Sequence, residues 1–210
     1  MSGWSTTKTY IFRITHINNL AHALATRQLF SRNGAPKDFK YTDICKTDLH
    51  ESRGTVEIPD GGGRTLHDCV PFYFGPRSPM LFWISKNLDQ TRIVYLVSTA
   101  QQIAAKGYGF SFTDGHAYIE FSKWYKDLKD LDKLDGNAIY ARFWSRQFDP
   151  TEELKRKKQA EFLVYNSLSW DDIIGVAVYN DKVEKEVRDL MNMYPKEVHK
   201  KVQAVPGWYY

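Results

Sequence analysis

The chain has little cysteine. Cys45 and Cys69 are its only thiols, too few for a disulfide framework and suited to a reducing compartment. No apolar run approaches the roughly 20 residues that a membrane helix requires, which speaks against a membrane partner. Residues 1–5 lack the basic-then-apolar order of a secretory signal, so a cytoplasmic location is expected. There is no repeat of fixed period and no low-complexity tract. The triplet Gly61-Gly62-Gly63 is not followed by the Lys-Ser/Thr that a phosphate-cradling P-loop needs, and reads as a flexible loop tip. Neither sign of charge dominates: 29 Lys and Arg face 25 Asp and Glu, a net +4 that makes the chain mildly basic, with Lys155–Lys158 and the Lys residues of 123–133 in one stretch. With 42% hydrophobic and 15% aromatic residues, a chain of this size can bury roughly 70% of its unfolded surface. The reading is one domain spanning 1–210.

Short elements of both kinds follow one another without regular alternation, which gives an α+β class. Aromatic and β-branched residues predict a strand over 10–15, and Asn18 or Asn19 offers an N-cap for a helix over 20–30. Residues 31–64 are polar, with a turn at Asn33-Gly34-Ala35-Pro36, and a loop of that length is usually functional or mobile. Strands are predicted at 71–75, 80–84 and 92–98, the last being the clearest buried run. A short helix to about residue 106 precedes a hairpin of 110–113 with 116–121, turned at Asp114-Gly115. Ser122 then caps a helix to about 134. An extended stretch over 139–148, helical turns over 151–158, and strands at 161–164 and 176–179 follow. A helical turn over 170–174 and a helix over 181–194 complete the pattern.

Two constellations draw attention to chemistry. Cys45, His50, His67 and Cys69 carry zinc-ligand types, but their C-x4-H and H-x-C spacings match no common zinc site, and no metal is expected. Gln159-Ala160-Glu161 leads at once into Phe162-Leu163-Val164. A glutamate at the first position of a strand is oriented by the sheet yet open to a cleft, and residue 159 projects on the same side. Taken alone, a solvated glutamate explains the pattern equally well.

Three other segments add to it. These are Ile14-Thr15-His16-Ile17-Asn18-Asn19-Leu20, Arg53 at the end of the polar loop, and the Pro- and aromatic-rich stretch Phe72-Tyr73-Phe74-Gly75-Pro76-Arg77-Ser78-Pro79-Met80. Together with Gln159–Val164 they resemble the DarT family, toxins of the DarT–DarG type that transfer ADP-ribose from NAD to bases in single-stranded DNA. The resemblance runs from about residue 10 to 179.

It implies an ADP-ribosyltransferase-like fold, with two small sheets forming an NAD cleft among surrounding helices. NAD is then the co-substrate, single-stranded DNA the acceptor, and a DarG-type antitoxin the protein partner. Glu161 matches the catalytic glutamate that holds the 2′-OH of the nicotinamide ribose, where a carboxylate offsets charge developing at C1′. Thr15, His16, Ile17, Asn19 and Tyr73 fall in NAD-contacting segments, with residues 37–53 as an NAD-covering loop. Arg53 matches an arginine beside NAD and the acceptor base. A guanidinium there can bind pyrophosphate or stabilise an anionic base, and a plain ion pair is the other reading. Residues 122–160 correspond to the region that presents the acceptor. Within it Tyr140, Arg142, Trp144 and Arg146 alternate, so an extended strand places all four on one DNA-facing side, joined by Gln159. Aromatics packed under Arg stems explain that spacing too. Lys155–Lys158 offers phosphate partners or a solvated face.

Thymine is the favoured acceptor, with guanine the other choice. Two further functions stay open at this point: a noncatalytic single-stranded nucleic-acid-binding module, and an NAD enzyme of the RNA 2′-phosphotransferase type.

Overall fold

A computed structural model describes residues 5–45, 51–59 and 61–210. At its centre β1 (Tyr10–His16) lies antiparallel to β4 (Ile93–Thr99) over the full length of both, from Tyr10 opposite Thr99 to His16 opposite Ile93. Every residue of β4 is buried, because both faces of the strand are covered. That is why it reads as an unbroken apolar run rather than as an alternation. On one face Ile11, Val94 and Leu96 pack with Leu20 and Leu24, and on the other Phe12, Ile14 and Tyr95 pack with Leu81 and Ile84.

Outward from β4 come β9 (Gly175–Val178), antiparallel, and β10 (Lys201–Ala204), parallel to β9. On the other side lie β3 (Cys69–Tyr73), β7 (Glu161–Tyr165), β5 (Phe110–Thr113) and the two-residue β6 (Trp124–Tyr125). These eight strands form one continuous sheet, and a ribbon of β2 (Gln28–Phe30) with β8 (Ser167–Ser169) forms the second. The two sheets are therefore of very different size. The cleft is opened within the large one: β1 meets β3 at the single pair Phe12 with Tyr73, whereas β3 and β7 are paired over five residues. Past that pair β1 and β3 diverge, and the Arg13 guanidinium bridges the gap to the Pro71 carbonyl at 3.2 Å.

Several local expectations give way to tertiary structure. The helix begun at Leu20 ends at Thr26 (α1, Leu20–Thr26), because Arg27 turns left-handed at φ 54° and sends the next residues into β2. Residues 79–87 form a helix, α2 (Pro79–Asn87), not a strand. Ser78 accepts from the Leu81 amide and Pro79 occupies the first turn, a start signal that outweighs the β-branched and aromatic content behind it. After α3 (Ala100–Ala105), β5 pairs with β6 instead of with 116–121, so those residues are free to form a closed turn. The helix expected over 122–134 is reduced to a 3-10 helix at Leu128–Lys133.

Residues 139–148 are not extended either. The short α4 (Gly136–Ile139) is followed by turns that close through Tyr140 to Gly136 and Phe148 to Ser145. The acceptor row therefore does not exist as one face. Tyr140 packs against the core and Trp144 is 9% exposed, while Arg142 and Arg146 are exposed. α5 (Glu153–Lys157) leads into β7, and α6 (Asp181–Met191), capped by Asn180, buries Val183, Val187 and Met191 at a spacing of four. Among the described residues no helix is long and apolar enough to cross a membrane.

Candidate active site

The divergence of β1 from β3 leaves a cleft of about 1300 Å³. Glu161 lies at its floor because it opens β7, opposite Tyr73 on β3. The residue is 1% exposed, and a buried carboxylate is tolerable only when paired and hydrogen-bonded. Arg53 supplies both conditions with a two-pronged contact, Nη1 to Oε1 at 3.1 Å and Nη2 to Oε2 at 2.7 Å. The Ala117 amide donates to Oε1 at 3.0 Å. Burial would raise the Glu161 pKa, but Arg53 outweighs it and holds the carboxyl below its ordinary value. For Arg53, burial acts downward and the Glu161 charge upward, with a net upward shift. Both groups are charged at neutral pH.

His116 sits beside them, its Nε2 3.8 Å from Glu161 Oε1. Burial lowers its pKa, with Glu161 opposing, so at neutral pH the ring is neutral. The local pattern around His116 predicts a hairpin strand and no role for it, since only the closing of the 116–122 turn brings it to Glu161. Tyr73 lines the same floor, with its hydroxyl 3.4 Å from Met80 Sδ and its pKa pushed up by burial.

The expected residues on β1 are placed differently. Thr15 is buried and shares its hydroxyl with Tyr41 at 3.1 Å and with Asn19 Nδ2 at 2.9 Å. Asn19 also bonds the backbone of Thr42 in both directions, at 3.0 and 2.9 Å. These two residues line a small hollow behind the large cleft, with Arg13, Phe30, Phe39 and Tyr41 bordering both spaces. Their work is to fasten the strap formed by residues 37–45. His22 stacks on Phe39 at 3.6 Å and fastens it further. His16 lies half-buried away from the cleft, its Nδ1 accepting from the Asn18 amide at 3.2 Å, and Ile17 is a core residue. Neither borders the cleft in this structure. The strap's continuation at residues 46–50 lies outside the described residues, as does His50 of the cysteine–histidine set. Burial raises the Cys45 and Cys69 thiols to about 11 and about 12, so both stay protonated and are poor metal ligands or nucleophiles.

On the acceptor side Gln159 and Arg146 border the cleft, and Tyr140 and Arg142 do not. Trp144 reaches the cleft wall, but its indole N–H donates to the Tyr210 hydroxyl at 3.1 Å and its ring meets Phe82 edge to face. It is a packing residue, not an open stacking surface. The basic run has structural work of its own. Arg156 bonds Asp114 at 2.8 Å and Ser122 at 3.2 Å, Lys157 pairs with Asp135, and buried Lys158 donates to the Ile139 carbonyl at 2.9 Å. Burial lowers Lys158 to about 8.

The DarT family, described as ssDNA thymidine ADP-ribosyltransferase, matches this sequence over residues 12–210. The chain belongs to the DarT family. A DNA ADP-ribosyl transferase of Thermus sp. (strain 2.9) is 39% identical over 207 residues, covering 96% of each chain. One of Escherichia coli O127:H6 is 32% identical over 209 residues, covering 97% of this chain and 94% of that one. The solved structure of Thermus sp. 2.9 DarT in complex with ADP-ribosylated ssDNA superposes with a TM-score of 0.91, at 38% identity and full coverage of both chains. The complex of that protein with NAD+ gives 0.86 at 38% identity, covering 96% of this chain and 98% of that one. Thermosipho africanus DarTG, at 18% identity and a TM-score of 0.78, covers 96% of this chain and 51% of its own, and shows the same fold. An ADP-ribosyltransferase fold and DNA ADP-ribosyl transfer from NAD thus belong to this DarT chain, and the binding-module and RNA 2′-phosphotransferase readings fall away.

Proposed function

We propose that this cleft transfers ADP-ribose from NAD to a thymine base in single-stranded DNA, with Glu161 as the catalytic carboxylate and Arg53 as the residue that holds it. The observation that carries the assignment is the buried, charged Glu161 at the floor of the cleft, gripped by Arg53 and the Ala117 amide. The cleft exceeds the roughly 300–1000 Å³ of ordinary small-molecule sites, which leaves space for a dinucleotide and part of a second substrate.

In the reaction the bond from ribose C1′ to the nicotinamide nitrogen breaks and nicotinamide leaves as a neutral molecule. C1′ then bonds to the thymine ring nitrogen N3, and the N3 proton is released. Glu161 accepts a hydrogen bond from the ribose 2′-OH and offsets the positive charge that exists at the ribose only near the transition state. Arg53 is a poor base, since Glu161 raises its pKa further, so it stabilises the anionic base rather than taking its proton. Neutral His116, beside Glu161, is the group suited to accept that proton. Thr15, Asn19 and the strap they fasten enclose the NAD side, His16 and Ile17 support the same strand end, and Tyr73 floors the cleft. Gln159 and Arg146, which border the cleft, serve the DNA side.

As a member of a DarT–DarG pair the protein acts as a toxin on cytoplasmic DNA, countered by a DarG-type antitoxin. Incubation with labelled NAD and separate single-stranded DNA, duplex DNA and RNA tests the function. Label is expected on single-stranded DNA alone, and mass spectrometry of the digested product is expected to place it on thymidine. Label on guanosine or on RNA overturns the acceptor assignment.

A further inference from the structure

The structure removes Tyr140 and Trp144 from the acceptor surface but leaves other aromatics open at the cleft. Tyr118 is 39% exposed and Phe121 82%, and both border the cavity that has Glu161 at its floor. The hydroxyl of Tyr118 has no hydrogen-bond partner among the described residues, and its ring lies 6.1 Å from that of His116 at a tilt of 52°. Side chains of this size are ordinarily buried, and two of them exposed four positions or fewer apart at the mouth of a charged cleft mark a binding surface.

The backbone beneath them is held on all sides. The Ile119 amide bonds the His116 carbonyl at 2.9 Å and the Ser122 amide bonds that of Ile119 at 2.9 Å. Ser122 Oγ returns to the His116 carbonyl at 2.8 Å, and the His116 amide is anchored on the Arg156 carbonyl at 3.0 Å. Arg156 in turn holds Asp114 and Ser122. A β-carbon on Gly115 would lie 2.9 Å from Arg156 Cγ and 3.0 Å from Ser122 Oγ, so a larger residue there would have to displace the Arg156 side chain that holds the turn. Between His116 and Tyr118, the Ala117 amide is bonded to the Glu161 carboxylate itself. The side chain of Tyr118 is thus indexed to the reacting centre through a single backbone hydrogen bond.

We propose that Tyr118 is the stacking platform for the acceptor base and that Phe121 stacks its neighbour in the strand, so that the 116–122 turn sets the base beside Glu161. The inference rests on single-stranded DNA being the acceptor. A duplex base is excluded because its faces are already covered by its own neighbours, whereas an unpaired base offers a free π-face to a fixed aromatic ring. Exposed Arg146, on the border of the same cavity, adds a cation for the strand's phosphates.

The test compares Tyr118→Ala, Tyr118→Phe and Phe121→Ala in steady-state transfer to a thymidine-containing oligonucleotide. Fluorescence anisotropy of a labelled oligo-dT and thermal melts accompany it. Loss of one stacked base corresponds to about a ten- to hundredfold rise in KM or Kd for DNA. Tyr118→Ala is expected to show that rise with KM for NAD and the melting temperature unchanged. Phe121→Ala should show a smaller rise, and Tyr118→Phe should behave as wild type, because stacking needs the ring and not the hydroxyl. A DNA KM for Tyr118→Ala within about twofold of wild type, an equal rise in KM for NAD, or a Tyr118→Phe protein as impaired as Tyr118→Ala overturns the proposal. If wild-type protein transfers nothing to DNA while Tyr118→Ala still weakens oligo-dT binding, the acceptor reading fails and the platform stands.

Discussion

The end of β1 and the start of β7 were both read as edges of the site, and they meet it in opposite ways. Glu161 opens β7 directly onto the cleft floor, and its carboxylate is held there by Arg53. Thr15 and Asn19, closing β1 and following it, spend their polar atoms on each other, on Tyr41 and on Thr42. The strand end alone does not decide whether a side chain reaches substrate. What crosses over it does: the strap of residues 37–45 is bonded across β1's end, whereas Glu161, though buried, borders the cleft together with Gln159. One end brings a charged carboxylate to the cleft and the other shapes the wall around it.

Variants at the β7 end should have the largest effects. Glu161→Gln is expected to lower transfer by at least about 10²- to 10³-fold in a kinetic assay, since the interaction it removes is concentrated in the transition state. The same change leaves the buried Arg53 charge without its partner, so a fall in unfolding free energy of about 3–5 kcal/mol should accompany it in denaturant titrations. A wild-type rate from folded Glu161→Gln would place the chemistry elsewhere. Next comes Arg53→Lys. An ammonium cannot reproduce the two-pronged grip, so transfer should fall well below wild type although the charge is kept, and full activity would show that charge alone matters.

Asn19→Ala tests the other end. It breaks the bonds to Thr15 and Thr42 and should cost about 1–3 kcal/mol, raising KM for NAD through a loosened strap while kcat changes little. A loss confined to kcat would move Asn19 into the chemistry. A smaller effect on stability belongs to His116. Its folded pKa lies below the ordinary 6.5, so the unfolded chain binds the extra proton first as pH falls. The stability His116 contributes is complete above about 6.5 and is lost as pH drops toward the folded value. Melts at pH 7 and pH 5 should therefore differ more for wild type than for His116→Gln. Smallest is Trp144→Phe, which keeps the edge contact to Phe82 but loses the bond to Tyr210, about 1 kcal/mol in stability. DNA affinity per folded molecule should not change, and a selective loss of DNA binding would restore Trp144 to the acceptor surface.

Legibility varied with how local the governing physics was. β1, β4, β5, β7, β9 and α6 were readable because their residues carry the pattern of a strand or helix within a few positions. The Ser78–Pro79 start of α2 was also written locally, but the aromatic run behind it suggested a strand. The row at Tyr140, Arg142, Trp144 and Arg146 failed for another reason. A spacing of two is informative only if the backbone is extended, and here α4 and its capping turns were stabilised by Lys158 reaching the Ile139 carbonyl from beyond the loop. Arg156 was likewise read as a phosphate partner or part of a solvated face, because nothing local shows that it closes over Asp114 and Ser122.

By itself the sequence determined the strand that begins with glutamate, the arginine available to it, the family that this combination resembles, and hence the NAD chemistry. These depend on residue identity at a few positions and survive any ambiguity in the loops. Only the tertiary structure decided that Arg53, 108 positions from Glu161, grips its carboxylate, that His116 lies beside it, that Trp144 is packed away and that Tyr118 stands exposed at the cleft. Each is settled by burial and hydrogen bonding between segments far apart in the chain, and no local pattern encodes which buried polar group will find which distant partner.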